Sequence, residues 1–345
     1  MKIVAAHPGP SFSVHDVHVG WVEALRKQGH LVADYNLSQR LTFYDSAMVE
    51  LPDRKWRKAL THQQAYELAA NGLYALLYVR KPDLLLVTSA FFYPEEMFDI
   101  ARSHGTRTVL IHTESPYEDD RQLKLAAHAD YNLINDPTNL DKFRSVNPNT
   151  WYMPHSYRPG FHEPGSSYVA SSADFAFVGT GYPSRVEFFE SMDFAGIDVL
   201  LAGNWQGVDE ESSLCKYIAN EKDECLDNEQ TVSVYRSSKV GMNLYRKEAE
   251  SEEHVHGWAC GPREIEMAAC GMFFLREPHG ESDELFPMLP TFRNPGEASE
   301  QLHYWLAHEE LRQEQALKAR AAIEDRTFHN RAADLMRLLD NQGVI

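Results

Sequence analysis

Apolar positions along the chain fall into short continuous runs separated by amphipathic stretches. The runs at Lys2–Ala6, Leu84–Val87, Thr108–Ile111 and Tyr131–Ile134 have the length of buried strands. A loop, His7 to Ser13, follows the first run. Val14, Val17, Trp21 and Leu25 then recur at three- and four-residue steps, the apolar stripe of a helix. Ser13 is its candidate N-cap, with Asp16 three residues on, and Gly29 its stop. Helical patterns over Lys55–Tyr78 and Pro94–His104 separate the later runs. Such alternation predicts an α/β fold with a parallel sheet covered on both faces.

The same device returns after a break. Pro154 to Asp174 is rich in Pro, Gly and Ser, keeps no periodicity and reads as an interdomain linker. Beyond it, strand Phe175–Val178 runs into Gly179-Thr180-Gly181. A helix follows, for which Ser184 and Glu187 form a candidate capping box. Strands are predicted at Asp198–Ala202, Lys239–Tyr245 and Met272–Leu275. A short helix between Pro262 and the stop at Gly271 precedes the last of these. The tail from Glu297 reads as helix. The expected division is residues 1–158, residues 159–325 and a last helical segment, 326–345.

Charge narrows the partners. Against 33 Lys and Arg stand 51 Asp and Glu, a net charge of −18. That repels polyanions at long range and disfavours DNA and anionic membranes, although a local basic cleft stays open. No apolar run nears the ~20 residues of a membrane span, and the first residues lack the pattern of a signal peptide, so a cytoplasmic protein is expected. Cys215, Cys225, Cys260 and Cys270 form no zinc or disulfide spacing. His254-Val255-His256 offers two imidazoles without a third ligand. No metal site is expected.

Two glycine loops, at Gly9 and at Gly179 and Gly181, each lie between a strand and a helix. Exposed amides there would suit a phosphate, though neither loop carries a dinucleotide or triphosphatase motif, and glycine also serves a plain tight turn. Arg185 sits in the first turn of the second loop's helix, where a cation is unfavourable unless an anion is near; a solvated arginine is the equal alternative. Arg263, Glu264 and Glu266 start a short helix too apolar for the surface, so their charges need partners. A carboxylate can take sugar hydroxyls and an arginine a phosphate, while acidic first turns are also ordinary caps. Asn243 to Arg246 ends a buried strand at what would be a ligand crevice, or is simply its turn. His112 and Glu114 follow another strand. With His15 and Asp16 they are the acid–base candidates. Glu118–Asp120 reads as a solvated loop.

The second half resembles the donor domain of GT-B glycosyltransferases of the group 1 superfamily, and most closely its CgeB-like branch. The carrying residues are Phe177-Val178-Gly179-Thr180-Gly181 with Arg185, Ser238-Lys239-Val240 with Asn243 and Arg246, and Gly261-Pro262-Arg263-x-x-Glu266-x-x-x-Cys270-Gly271. The first half, with Gly9-Pro10-Ser11 before its helix, looks like the acceptor domain. The resemblance implies two Rossmann-like domains across a cleft, with the last helix crossing back. It implies a nucleotide-sugar donor, UDP-sugar foremost, as co-substrate and no further cofactor. Glu266 matches the ribose-binding glutamate, Arg185 and Arg263 the diphosphate-facing cations, and Gly9 the loop near the donor phosphates. Retaining relatives carry a second glutamate eight residues before the first; here that position is Trp258.

Glycosyl transfer leaves negative charge on the departing diphosphate. In a metal-independent enzyme, arginines and helix amides must stabilise it. An inverting reaction needs Glu114, Asp16 or His15 as base. The acceptor is expected to be a protein or small molecule rather than DNA. A sugar-nucleotide epimerase and a non-catalytic binding module on the same fold are the alternatives.

Overall fold

The computed structural model describes residues 1–10, 12–165, 173–248 and 257–344. The chain divides into two compact units, Met1–Met153 with Ala332–Ile345, and Pro154–Arg331. His254 and His256 lie outside the described residues.

In the first unit, a sheet of order β2-β1-β5-β6-β7-β8 is wholly parallel. Its strands are β1 (Lys2–Ala6), β2 (Leu31–Tyr35), β5 (Leu84–Thr88), β6 (Arg107–Ile111), β7 (Tyr131–Ile134) and β8 (Thr150–Tyr152). The exposed strands β3 (Met48–Glu50) and β4 (Trp56–Lys58) form a separate antiparallel hairpin. The helices are α1 (Phe12–Lys27), α2 (Leu37–Asp45), α3 (His62–Arg80), α4 (Glu96–Ser103), α5 (Asp119–Ala126) and α6 (Leu140–Val146). Every residue of β5 is buried, as a central parallel strand requires.

Some local expectations change. α1 starts at Phe12, so Ser13 lies inside the helix rather than capping it. α3 starts at His62, capped by Thr61 and Gln64 in a reciprocal pair, and the predicted helical stretch from Lys55 instead opens with β4. Asp119 is no part of a solvated loop: it is buried, begins α5 and accepts from Ser115 Oγ at 2.8 Å.

In the second unit, the described residues form a parallel sheet of order β10-β9-β11-β12. The strands are β9 (Ala173–Val178), β10 (Val199–Ala202), β11 (Ser238–Asn243) and β12 (Phe273–Arg276). Its helices are α7 (Pro183–Glu190), α8 (Asn228–Ser237), α9 (Pro262–Ala269), α10 (Gly280–Leu285), α11 (Pro295–Ala307) and α12 (Glu309–Ala322). α13 (Phe328–Asn341) begins in this unit and ends in the first. Aromatic packing of Phe175, Phe177, Phe189 and Trp205 anchors the core.

α7 needs no serine cap. Pro183 occupies its first turn, where a missing N–H costs nothing, and the Ser184 N–H turns instead to Glu248. The described part of the predicted linker is not loose either. Tyr157 pairs with Thr327 in an isolated bridge, His162 is buried, and Glu163 is held by Arg320 and Arg236. Loop-like composition there serves a packed irregular segment.

Candidate functional site

Both sheets reverse their strand order once. In the first unit the chain goes from β1 outward to β2 and returns to β5 on the other side. In the second it goes from β9 to β10 and returns to β11. Strand order reverses between β1 and β5, and between β9 and β11. Open α/β sheets bind ligands beyond the carboxyl ends of strands at such points.

In the second unit, Arg263 spans this point. Its Nε donates to Val178 O, at the end of β9, at 2.8 Å, and an Nη donates to Asn243 Oδ1, at the end of β11, at 2.8 Å. The guanidinium lies over the Phe177 ring, 4.9 Å from the centroid. Asn243 is buried, and its Nδ2 has no hydrogen-bond partner. An amide of this kind is costly to leave unsatisfied, which makes the spot a candidate for a ligand.

The glycine loop works differently from the expectation. The N–H groups of Gly179 and Gly181 donate to Ala202 O and Asn204 O at 2.9 and 2.8 Å, prolonging the β9–β10 pairing. They do not project as free phosphate donors. The glycines are needed because other groups press close: a Cβ on Gly179 would meet Arg263 at 2.5 Å, and one on Gly181 would meet the Trp205 ring at 2.4 Å.

Arg185 is buried and acts as a strut, donating to Thr180 O at 3.0 Å and Leu244 O at 2.7 Å. It thereby ties the glycine loop to the end of β11. Tyr182 is shared by two cations, with the guanidinium carbons of Arg185 and Arg246 at 5.1 and 5.2 Å from its ring centroid. The N-terminus of α7 already meets an anion of this chain, Glu248, which accepts from Ser184 N at 3.0 Å. Although burial opposes its ionisation, hydrogen bonds led by the Ser184 amide hold the Glu248 carboxyl below the usual range.

The two glutamates of α9 part company. Glu264 is fully buried and accepts from the Tyr245 hydroxyl, from Ser282 Oγ at 2.6 Å and from Gly261 N at 3.1 Å. Burial pushes its pKa up, against these hydrogen bonds. It fastens α9 to α10 and to the segment after β11. Glu266 remains half-buried, with a carboxylate oxygen within 4.8 Å of a ring nitrogen of the buried His162. Trp258, at the departure from the retaining pattern, covers Gly280, where a Cβ would come within 2.2 Å of the indole, and its carbonyl accepts from Glu281 N at 2.7 Å. Sequence reasoning missed the stacked pair Tyr245 and His279, 3.7 Å apart, and the buried bridge from Arg326 to Glu281. Neither follows a local spacing.

In the first unit, the loop after β1 carries a histidine cluster that was only half anticipated. His7 is buried. Its Nδ1 accepts from Gly9 N at 3.1 Å, and its Nε2 meets His15 Nδ1 at 2.7 Å. The Gly9 amide is therefore engaged within its own loop, not free for a phosphate. Gly9 adopts φ +107°, with the Phe92 ring where a Cβ would stand. His18 packs edge-on to His7 and hydrogen-bonds Asp34 at 2.9 Å. The sequence signal was present: His15 and His18, three apart on α1, share one face.

Asp16 is buried on α1 and Glu114 is half-buried after β6. Only β5 separates β1 from β6, so the two loops open at the same sheet edge about 10 Å apart, two strand spacings. His112 leaves the list of acid–base groups. It is buried, bonded to Asn132 Oδ1 at 2.9 Å and packed on Phe143, and burial pushes its pKa down to about 4.

Comparison with known proteins accords with this architecture. Residues 185–337 match a family model described as "Glycosyl transferase-like". No curated protein matches the chain by sequence. Among solved structures, the chain is similar to sucrose-phosphate synthase from Thermosynechococcus elongatus, with TM-score 0.67 and 11% identity over 99% of both chains. It is similar to a putative UDP-N-acetylglucosamine 2-epimerase from Listeria monocytogenes, with TM-score 0.61 and 12% identity over 99% of this chain and 96% of that one. It is also similar to Anabaena Alr3699/HepE, solved in complex with UDP, with TM-score 0.61 and 11% identity over 99% and 100%. The fold is that of the GT-B enzymes, with two Rossmann-like units. No described helix is long and apolar enough to cross a membrane.

Proposed function

We propose that the chain is a metal-independent glycosyltransferase of the CgeB-like branch, moving a sugar from a UDP-sugar to a hydroxyl of a cytoplasmic protein or small molecule. One observation carries the reading. Inside the segment that matches the glycosyltransferase-like model, Arg263 and the unpartnered Asn243 amide meet at the strand-order reversal of the second unit. An arginine beside an unsatisfied buried N–H suits the oxygens of a leaving diphosphate. The match to a transferase model, rather than the fold alone, is what favours transfer over epimerisation.

In this reading Arg263, Arg246 and the Asn243 amide face the diphosphate, and Glu266 takes the ribose hydroxyls. Gly179 and Gly181 shape the wall and Arg185 holds it. If the reaction inverts, Asp16, Glu114 or His15 removes the acceptor proton. The charge of −18 opposes DNA as the acceptor.

The test is turnover of a UDP-sugar panel by the full chain, with and without EDTA and with acceptor mixtures. Transfer that is unchanged in EDTA is expected. Loss in EDTA with recovery on adding Mn²⁺ would refute metal independence. Conversion of the sugar without acceptor would make the protein an epimerase, and binding without turnover a binding module. Glu266→Ala should weaken UDP binding by about 1–3 kcal/mol by calorimetry, the usual cost of losing charged hydrogen bonds; unchanged affinity removes Glu266 from the site.

A further inference from the structure

The carboxyl edge of the first unit's sheet holds polar oxygens that the fold leaves unpaired. Thr88 ends β5 and lies in register with Ile111 of β6, which lies in register with Leu133 of β7, so the three share one sheet face. The pairing continues past the strand ends. Ser89 N–H donates to Ile111 O at 2.9 Å, and His112 N–H to Leu133 O at 2.8 Å. Two positions beyond Ile111 and Leu133, Thr113 and Asn135 therefore keep to the face of Thr88. Thr88 is 1% exposed and Asn135 7%. Thr88 Oγ1, Thr113 Oγ1 and Asn135 Oδ1 are buried atoms without a hydrogen-bond partner among the described residues. Unpaired oxygens on one face of three neighbouring strands run against the rule that buried polar groups are satisfied. Thr113 and Glu114 stay part-exposed, so the edge is open to solvent there.

The chemistry of these atoms selects a ligand. Asn135 Nδ2 donates to Ser115 O at 3.0 Å, which fixes the amide. The unpaired atom is therefore a carbonyl oxygen, which only accepts, whereas each threonine hydroxyl both donates and accepts. The ligand must carry donors for Asn135 and acceptors for the threonine protons. A carboxylate or phosphate offers Asn135 nothing and meets the Glu114 carboxylate, next to Thr113 in the chain. A cation at this edge, Arg121, is laid over the Phe91 ring at 3.9 Å and donates to Phe91 O at 3.0 Å. An ammonium group has no acceptor for the threonine protons, and an apolar group leaves every oxygen unpaired. Hydroxyl groups meet all the requirements. We propose that this edge of the first unit binds an uncharged polyhydroxyl compound, a sugar or cyclic polyol. Its hydroxyls donate to Asn135 and exchange hydrogen bonds with Thr88 and Thr113. Calling that compound the acceptor rests on the proposed function; its binding does not.

The test is binding of glucose, N-acetylglucosamine, maltose and myo-inositol to the full chain without UDP, with glucose 6-phosphate as the charged control. Calorimetry and saturation-transfer NMR read it. At least one neutral probe should bind, and more tightly than the phosphate. Thr88→Val and Thr113→Val keep the side-chain shape and remove one hydroxyl. Each should weaken that probe about five- to tenfold, the worth of one hydrogen bond, while Thr88→Ser keeps most of the affinity. Removing an unpaired buried hydroxyl should leave Thr88→Val melting at or above wild type, so its lost affinity is not misfolding. Tighter binding of glucose 6-phosphate, or full affinity in both valine variants, overturns the proposal. Binding of no probe also overturns it, because ordered water alone then satisfies the oxygens. Transfer is read separately, with the UDP-sugar panel added. Product formed on the bound neutral probe makes it an acceptor; transfer to protein alone overturns that role and leaves the binding result standing. If nothing is transferred, the proposed function fails and the binding arm still decides.

Discussion

Asn243 serves structure with half its side chain and holds the other half, a buried N–H donor, without a hydrogen-bond partner. Its Oδ1 accepts from Arg263 and fixes the guanidinium across β9 and β11, while its Nδ2 waits in a buried place. Exchange to aspartate keeps the acceptor and replaces the donor by a second acceptor. Asn243→Asp should keep its melting temperature within a few degrees, because the new charge pairs with Arg263, yet weaken UDP binding at least tenfold by repelling the diphosphate. Calorimetry and thermal denaturation on the same sample check it; full affinity would show that the amide faces no phosphate. Glu264 and Glu266 make the complementary point. Two positions apart on α9, they differ because one is enclosed by Tyr245, Ser282 and Gly261 and the other is half-open. Residue type alone cannot distinguish them, which is why the sequence nominated both.

At the scale of elements, the loop after β10 rides directly on the loop after β9. Gly203 has φ +110°, and a Cβ there would stand 2.6 Å from Gly179 O. The neighbour is backbone that also carries the β9–β10 pairing, so it cannot step aside as a side chain would. Gly203→Ala should cost about 2–3 kcal/mol, from strained backbone and overpacking together, and reduce UDP binding through the displaced loop. A variant as stable as wild type in urea titration would show that the contact yields freely. The strands legible from sequence were β1, β5, β6, β7, β9, β10, β11 and β12, each within two residues of its predicted run. β2 was missed because, as an edge strand, its positions are mostly part-exposed and its apolar run is broken. β8 has three residues, and the β3–β4 hairpin is exposed throughout. The site was legible only as far as its local spacing: the Arg263–Glu266 segment and the His15–Asp16 pair. Contacts made at long range, such as Arg263 to Val178, follow from strand order and not from spacing.

Across the whole molecule, buried neutral histidines set the response to acid, and they are unevenly shared. The first unit holds His7 and His112, with pKa values pushed down by burial to about 3 and about 4; the second holds His162, pushed down by burial and by Arg158 and Arg236 to about 3. A histidine whose folded pKa lies below its unfolded value, about 6.5, binds fewer protons folded than unfolded. Its stability contribution is complete above pH 6.5 and is lost as pH falls towards the folded value, at up to about 1.4 kcal/mol per pH unit for each imidazole. In the second unit Glu264 works against His162. Burial raises its folded pKa, so its contribution improves as pH falls through the range just above the ordinary carboxylate value. The lowered carboxyl of Asp34 in the first unit begins to lose its contribution only near ordinary carboxylate values, below this window. Between pH 6.5 and 5 buried histidines therefore withdraw two contributions from the first unit, at His7 and His112, and one from the second, at His162. Hydrogen exchange read at the amides of β1 and β6 and at those of β9 and β11 should show protection falling about twice as steeply with acid in the first pair. An equal or steeper fall in β9 and β11 would show that the buried imidazoles do not set the acid response.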